Sequence, residues 1–166
     1  MMIVDSIDER AEDSTLELND LEVALIAPHV AKMTDSAADA ASRHRYEELA
    51  AAIADRHLRP EHQGTVAALI ELLINSGRLR SQNGPTAEAV ARGLYRRTGP
   101  GKTAAASAAA LSAALAKLKD QRIEDISVSL RGPGSYAMSL GTTDFQLVIR
   151  IDPSGCRIES LEVNLN

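Results

Sequence analysis

The sequence predicts an α+β fold, with N-terminal helices packed on one face of a C-terminal four-stranded antiparallel β-meander. Three observations predict it. Apolar residues recur at helical spacing up to residue 121, most clearly at Val66, Leu69, Ile70, Leu73 and Ile74. From Ile126 the apolar period changes to two. Turn residues then recur at intervals of about ten residues, as in a meander. The expected layout is an acidic arm over residues 1–15, a helical region over 16–121, and a sheet region over 122–166 packed on a helix at 103–120. At 166 residues the chain is long enough for one compact domain with its own core.

Taken in order, the first fifteen residues, MMIVDSIDERAEDST, are acidic with one short apolar cluster. Such a composition predicts a loosely docked arm, in which Met2, Ile3 and Val4 are the residues able to join a sheet edge. Asn19 and Glu22 form a capping-box pattern, so a helix starts there. Leu18, Leu21 and Leu25 share its apolar face, bordered by Ile26, and Pro28 ends or kinks it near Ala27. Asp35 or Ser36 caps a second helix running to about Leu58, with Tyr46, Leu49 and Ile53 inward. Pro60 or Glu61 opens the third helix and Gly77 closes it. Residues 78–85 read as a polar link with a turn signal at Asn83-Gly84-Pro85. Thr86 caps a short helix to about Arg97, and residues 98–101 form a break.

The central stretch, Thr103 to Asp120, is almost entirely Ala, Ser, Leu and Lys. Alanine has the highest helix propensity because its methyl loses no rotamer freedom, so a long helix is expected. Ala104, Ala108, Leu111, Leu115 and Leu118 lie along one face of it. This flat face fits either the sheet or a close helix–helix contact with a second chain. Four strands follow, turning at Gly132-Pro133-Gly134, at Gly141–Asp144 and at Asp152-Pro153-Ser154-Gly155, the last with type I turn residues. Ile158 is out of phase with Leu161, Val163 and Leu165, which predicts a bulge near Glu159–Ser160.

Composition narrows the function. Aromatic residues are only 2% of the chain, too few for base stacking on single strands. Cys156 is the only cysteine, so neither an internal disulfide nor a cysteine zinc site can form; in a strand it reads as a small buried apolar residue. Met1–Val4 runs straight into acidic residues, and no stretch reaches 18 apolar residues, so neither a signal peptide nor a membrane span is expected. A cytoplasmic setting follows as the expectation.

Charge is unevenly spread. Residues 1–77 carry 6 Lys/Arg against 15 Asp/Glu, residues 78–122 carry 9 against 2, and residues 123–166 carry 3 against 6. The basic middle is suited to an anionic partner or to the chain's own acidic front.

Chemical motifs are weak. Gly99-Pro100-Gly101-Lys102-Thr103 resembles the tail of a phosphate-binding loop, but the required first glycine is Arg96 and helix precedes the loop instead of strand. His57 and His62 are five apart across Pro60, which is not helical metal spacing. No G-x-S-x-G elbow is present. No catalytic, cofactor or metal site is therefore predicted, and an enzyme is not the first expectation.

One resemblance concerns element order. Helix 61–76, helix 86–97, helix 103–120 and the hairpin 124–140, tipped by Gly-Pro-Gly, follow the order of a winged helix-turn-helix domain. The resemblance covers about residues 61–140 and no family motif. It implies duplex DNA as a partner, with Lys102, Thr103 and Ser107 starting the recognition helix and arginines meeting phosphate.

Two functions are expected. The first is a non-enzymatic interaction or assembly module, self-associating or binding a protein through Ala104, Ala108, Leu111 and Leu115. The alternative is a winged-helix DNA-binding regulator. In either case the contacts to phosphate or to an acidic partner fall to Arg78, Arg80, Arg92, Arg96, Arg97, Lys102 and Arg131.

Overall fold

The computed structural model describes residues 15–163, with the side chain of Gln82 excepted. Residues 1–14 of the expected arm, with Met2, Ile3 and Val4, and the expected strand residue Leu165 lie outside the described residues. Within them the order is β1 (Leu16–Glu17), α1 (Asp20–Asp35), α2 (Ala40–Ala54), β2 (His57–Leu58), α3 (Pro60–Asn75), α4 (Arg78–Arg97) and α5 (Gly99–Ala116). Four strands follow: β3 (Ile123–Gly132), β4 (Ser135–Thr142), β5 (Phe145–Asp152) and β6 (Gly155–Val163). The α+β class is as the sequence predicts. Contacts divide the chain between Lys102 and Thr103 into two compact units.

The first unit is helical. Asn19 caps α1 as its side chain promises: its Oδ1 accepts from the Glu22 backbone N–H at 3.0 Å, and its own N–H donates to Glu22 Oε2 at 3.0 Å. The buried face of α1 is Glu22, Ile26 and Val30, while Leu21 points to solvent. Of the expected face, Leu18 is buried and Leu25 packs against the core, so the correction concerns Leu21 alone. The capping box draws Glu22 inward, and Arg97 Nη1 donates to Glu22 Oε1 at 2.9 Å, so a carboxylate replaces a leucine on the core side. Pro28 does not end α1, which continues to Asp35. Ile26 and Val30, both fully buried, hold the helix on either side of the proline against its local cost.

The second helix begins later than expected and ends sooner. Asp39 is its cap, accepting from the Ser42 N–H at 2.7 Å. It ends at Ala54 because Arg56 takes a left-handed conformation (φ 61°). His57–Leu58 then pairs antiparallel with Leu16–Glu17, a short ladder that two-residue runs do not announce. The apolar stripe of α3 is buried as expected, with Leu58, Leu79, Ala91 and Leu94 joining the same core. Residues 78–83 are helical, not a polar link; Leu79 is buried, and burial overrides the polar composition around it. The expected break survives at Gly84, whose φ of 79° and ψ of 178° interrupt α4 before Pro85.

The second unit is the meander with its cover. Strand order is β3-β4-β5-β6, all antiparallel. Gly134 (φ 69°) supplies the positive φ for the two-residue β3–β4 turn. Between β5 and β6, Asp152 pairs with Gly155, and Asp152 Oδ1 accepts from the Ser154 N–H at 3.0 Å. The bulge falls where the phase change predicts it. Ser160 pairs with Val148 and Ile158 with Ile149, leaving Glu159 as the extra residue. Ala114 and Leu118 pack on Leu140, Leu147 and Ile149, flanked by Leu111, Met138, Phe145, Ile151, Ile158 and Leu161.

One ionisable contact on α3 and α4 is readable by titration. Tyr95 donates its phenol proton to Glu71 Oε1 at 2.7 Å. That hydrogen bond to a carboxylate, helped by partial burial and by the Glu71 charge, pushes the phenol up to about 12. The folded state thus favours the neutral phenol, and the stability so gained is full below pH 10.0 and lost as the pH rises through about 12. Phenolate absorbance is expected to show a component rising near pH 12 that Tyr95→Phe removes. Its absence from the wild-type curve would contradict the contact.

Candidate interaction surface

Cross-strand pairing aligns the apolar side of the sheet into three rows. Ile126, Leu140, Leu147 and Leu161 form the first, and Val128, Met138, Ile149 and Ile158 the second. Leu130, Tyr136, Ile151 and Cys156 form the third. The single helix α5 lies over the β4, β5 and β6 members of the first two rows and over Ile151 of the third. Every row ends uncovered on β3, where Ile126, Val128 and Leu130 are 62%, 65% and 69% exposed. Three branched apolar side chains thus stand in water beside each other on an edge strand. Contiguous exposure of this kind marks contact surfaces, whereas single exposed leucines do not.

The edge is only partly protected. Bulges at Glu124 and Arg131 interrupt the ladder at both ends of β3, a common way to blunt an edge. Between them Asp125–Leu130 is a regular six-residue strand with no Pro, Gly or Lys. The face opposite the apolar rows carries Asp125, Ser127 and Ser129 at this edge.

The residues singled out on α5 divide between the sheet and solvent. Leu111 packs on the sheet, Ala104 is half-buried, and Ala108 and Leu115 are exposed. Ala114 takes the buried place beside Leu118, its methyl letting the helix approach the strands. Cys156 is exposed, not buried as its strand position predicts, because it lies on the outer strand beside the β5–β6 turn.

Several of the basic candidates meet the chain's own acids. Arg97 donates to buried Glu22 and to the Glu17 carbonyl. Arg92 pairs with Glu88 one helical turn away at 2.7 Å. Arg131 reaches Glu159 at 4.0 Å. Arg78, Arg80, Arg96 and Lys102 are exposed and make no ion pair among the described residues.

The phosphate-loop fragment has a packing explanation. Thr98, fully buried, accepts from the Gly101 N–H through its hydroxyl at 3.2 Å and so caps α5, which begins at Gly99, ahead of the expected start at Thr103. A Cβ at Gly101 would collide with the Tyr95 carbonyl, so only glycine fits there.

Two adjoining surface clefts, of about 350 and 330 Å³, share Glu48, Glu61 and His62. His57 lines the larger, so the fold brings together two histidines that linear spacing keeps apart. Among the described residues no three His, Cys, Asp or Glu side chains are placed to hold a metal ion. No described helix is long and apolar enough to cross a membrane. Comparison with protein-family models, curated proteins and solved structures finds no match for the chain.

Gly101→Ala is expected to lower stability by about 2 kcal/mol through overpacking, read as a shifted urea midpoint. Exposed Lys102→Ala should change stability by less than about 0.5 kcal/mol. Equal effects from the two would remove the packing explanation.

Proposed function

We propose that the chain is a non-enzymatic protein-interaction module whose contact surface is the uncovered β3 end of the sheet. The observation that carries this reading is the run of Ile126, Val128 and Leu130 in solvent, continuous with rows that α5 buries elsewhere. Burying the three side chains against a partner removes apolar area from water, the usual driving force of association. The free backbone groups of β3 offer main-chain hydrogen bonds to an added strand, which align that partner. The alanine face of α5 has a smaller part in this reading than composition predicts, because Leu111 and Ala114 already meet the strands.

A photo-crosslinking residue at Ser129, on the β3 edge, tests the reading against one at Ser112 on the exposed side of α5. Adducts with a defined protein chain, identified by mass spectrometry, are expected from Ser129 alone. No adduct from Ser129 at any concentration, in cells or with purified chain, would sink the reading.

Duplex DNA remains a second reading, favoured by the four exposed cations Arg78, Arg80, Arg96 and Lys102 that are free of ion pairs among the described residues. The alanine-rich start of α5 has few donors for base edges, so this binding would be carried by phosphate. If all four cations meet phosphate, affinity for a random duplex should fall with salt at a log–log slope of about −3 to −4. Arg96→Ala should flatten that slope by about one, measured by fluorescence anisotropy. Absence of binding at low salt would exclude the reading.

A further inference from the structure

The edge of β3 is complementary to itself. Read outward from Val128, the strand carries serine on both sides at Ser127 and Ser129, then a large aliphatic residue at Ile126 and Leu130, then opposite charges at Asp125 and Arg131. We infer that the partner of this surface is a second copy of the chain, its β3 paired antiparallel with the first about a two-fold axis through Val128. The inference rests on the reading of β3 as the contact surface and adds the partner and the register.

The register follows from symmetry. A two-fold axis through one residue sets residues of equal distance from it opposite each other. Val128 then faces its own copy, Ile126 faces Leu130, Ser127 faces Ser129, and Asp125 faces Arg131, with the last three pairs occurring twice. Apolar residues meet on one side of the joined sheet and polar residues on the other. A slip by one residue would set the apolar side against serines, so the alternation penalises neighbouring registers. The three apolar rows of one copy continue into those of the other, forming an eight-stranded sheet with a helix over each half.

Charge identifies a second copy over an unrelated strand. Asp125 is exposed and makes no ion pair among the described residues. Arg131 is half-exposed, and its contact with Glu159 lies at 4.0 Å, longer than a hydrogen bond. Each copy therefore brings one available acid and one loosely held base to opposite ends of the same short strand. The bulges at Glu124 and Arg131 limit regular pairing to Asp125–Leu130, so in the dimer the Asp125–Arg131 pairs close the ladder at its two ends. A ladder this short lies at the small end of specific interfaces, so the dimer should dissociate on the order of 10 µM.

Sedimentation velocity of the full chain over a concentration series tests this, with amide exchange of β3 measured on the same samples. Wild type should pass from monomer to dimer as concentration rises, with β3 amides becoming protected in step. Val128→Lys, at an exposed position, should stay monomeric with an unchanged circular dichroism spectrum. Asp125→Arg and Arg131→Asp should each weaken the dimer at least about tenfold, by placing like charges opposite each other. The double variant should recover wild-type affinity, because both pairs re-form with signs exchanged. A double variant no better than the singles overturns the register. A dimer indifferent to Val128→Lys overturns the proposed surface. A monomer with freely exchanging β3 amides and Ser129 adducts to another protein overturns the second copy and leaves the contact-surface reading intact. A monomer whose β3 amides are protected at every concentration overturns both, since another part of the chain then covers the strand.

Discussion

The second unit is governed by a mismatch of width. An α-helix with its side chains is about 10–12 Å across. Four strands spaced about 4.8 Å apart place the outer two about 14 Å from each other before their side chains are counted. One helix cannot cover four strands. In this chain α5 settles toward β4, β5 and β6, where Leu140, Leu147 and Ile149 are buried under Ala114 and Leu118. The sequence nevertheless writes β3 with the same apolar alternation as its neighbours. The uncovered strip is thus a result of counting layers, and it would exist for any helix of ordinary girth in that position.

The first unit depends on a different device. Glu22 belongs at once to the capping box of α1 and to the ion pair with Arg97 at the end of α4. Its two carboxylate oxygens serve different partners, one the Asn19 N–H and the other the guanidinium. Arg97 also donates to the Glu17 carbonyl, tying the β1 segment to the same point. A buried carboxylate is tolerated there because its hydrogen-bonding capacity is used. Gln63 acts similarly, accepting from the Gly99 N–H at 2.8 Å where α5 begins. These polar contacts fix the helix ends, while Ile26, Ile53, Val66, Ile70 and Leu94 supply the apolar core.

Much of the fold was legible because local chemistry and tertiary packing agree. The period-two alternation, the turns with glycine and proline, and the bulge at Glu159 all follow from the spacing of side chains along strands. The capping box at Asn19 was legible for the same reason. Where packing overrides propensity, local sequence misleads: Pro28 does not end α1, and Leu79 pulls a polar stretch into helix. Arg56 with positive φ and the two-residue β1–β2 ladder carry no local signal at all. On the candidate surface, composition makes the alanine face of α5 the conspicuous feature. The β3 strip had a signal too, since the first strand of a meander is an edge and only one adjacent helix was available to cover it. Whether a strand is covered depends on the placement of other elements, and periodicity cannot report that.

The meander also has a consequence for the order in which the molecule forms. Every strand of the sheet pairs with its immediate neighbour in sequence, and the turns at Pro133-Gly134 and Pro153-Ser154 are two residues long. Such contacts close short loops, and folds built from them reach the native state quickly because little chain entropy is lost before pairing begins. The helix that covers the sheet comes just before it in the chain, so the whole apolar interior of this unit can assemble without waiting for distant segments. Rapid closure shortens the time during which alternating apolar strands stand open to aggregation. Of the two edge strands, β6 has Ile158 and Leu161 partly covered, whereas β3 keeps its apolar row exposed after folding is complete.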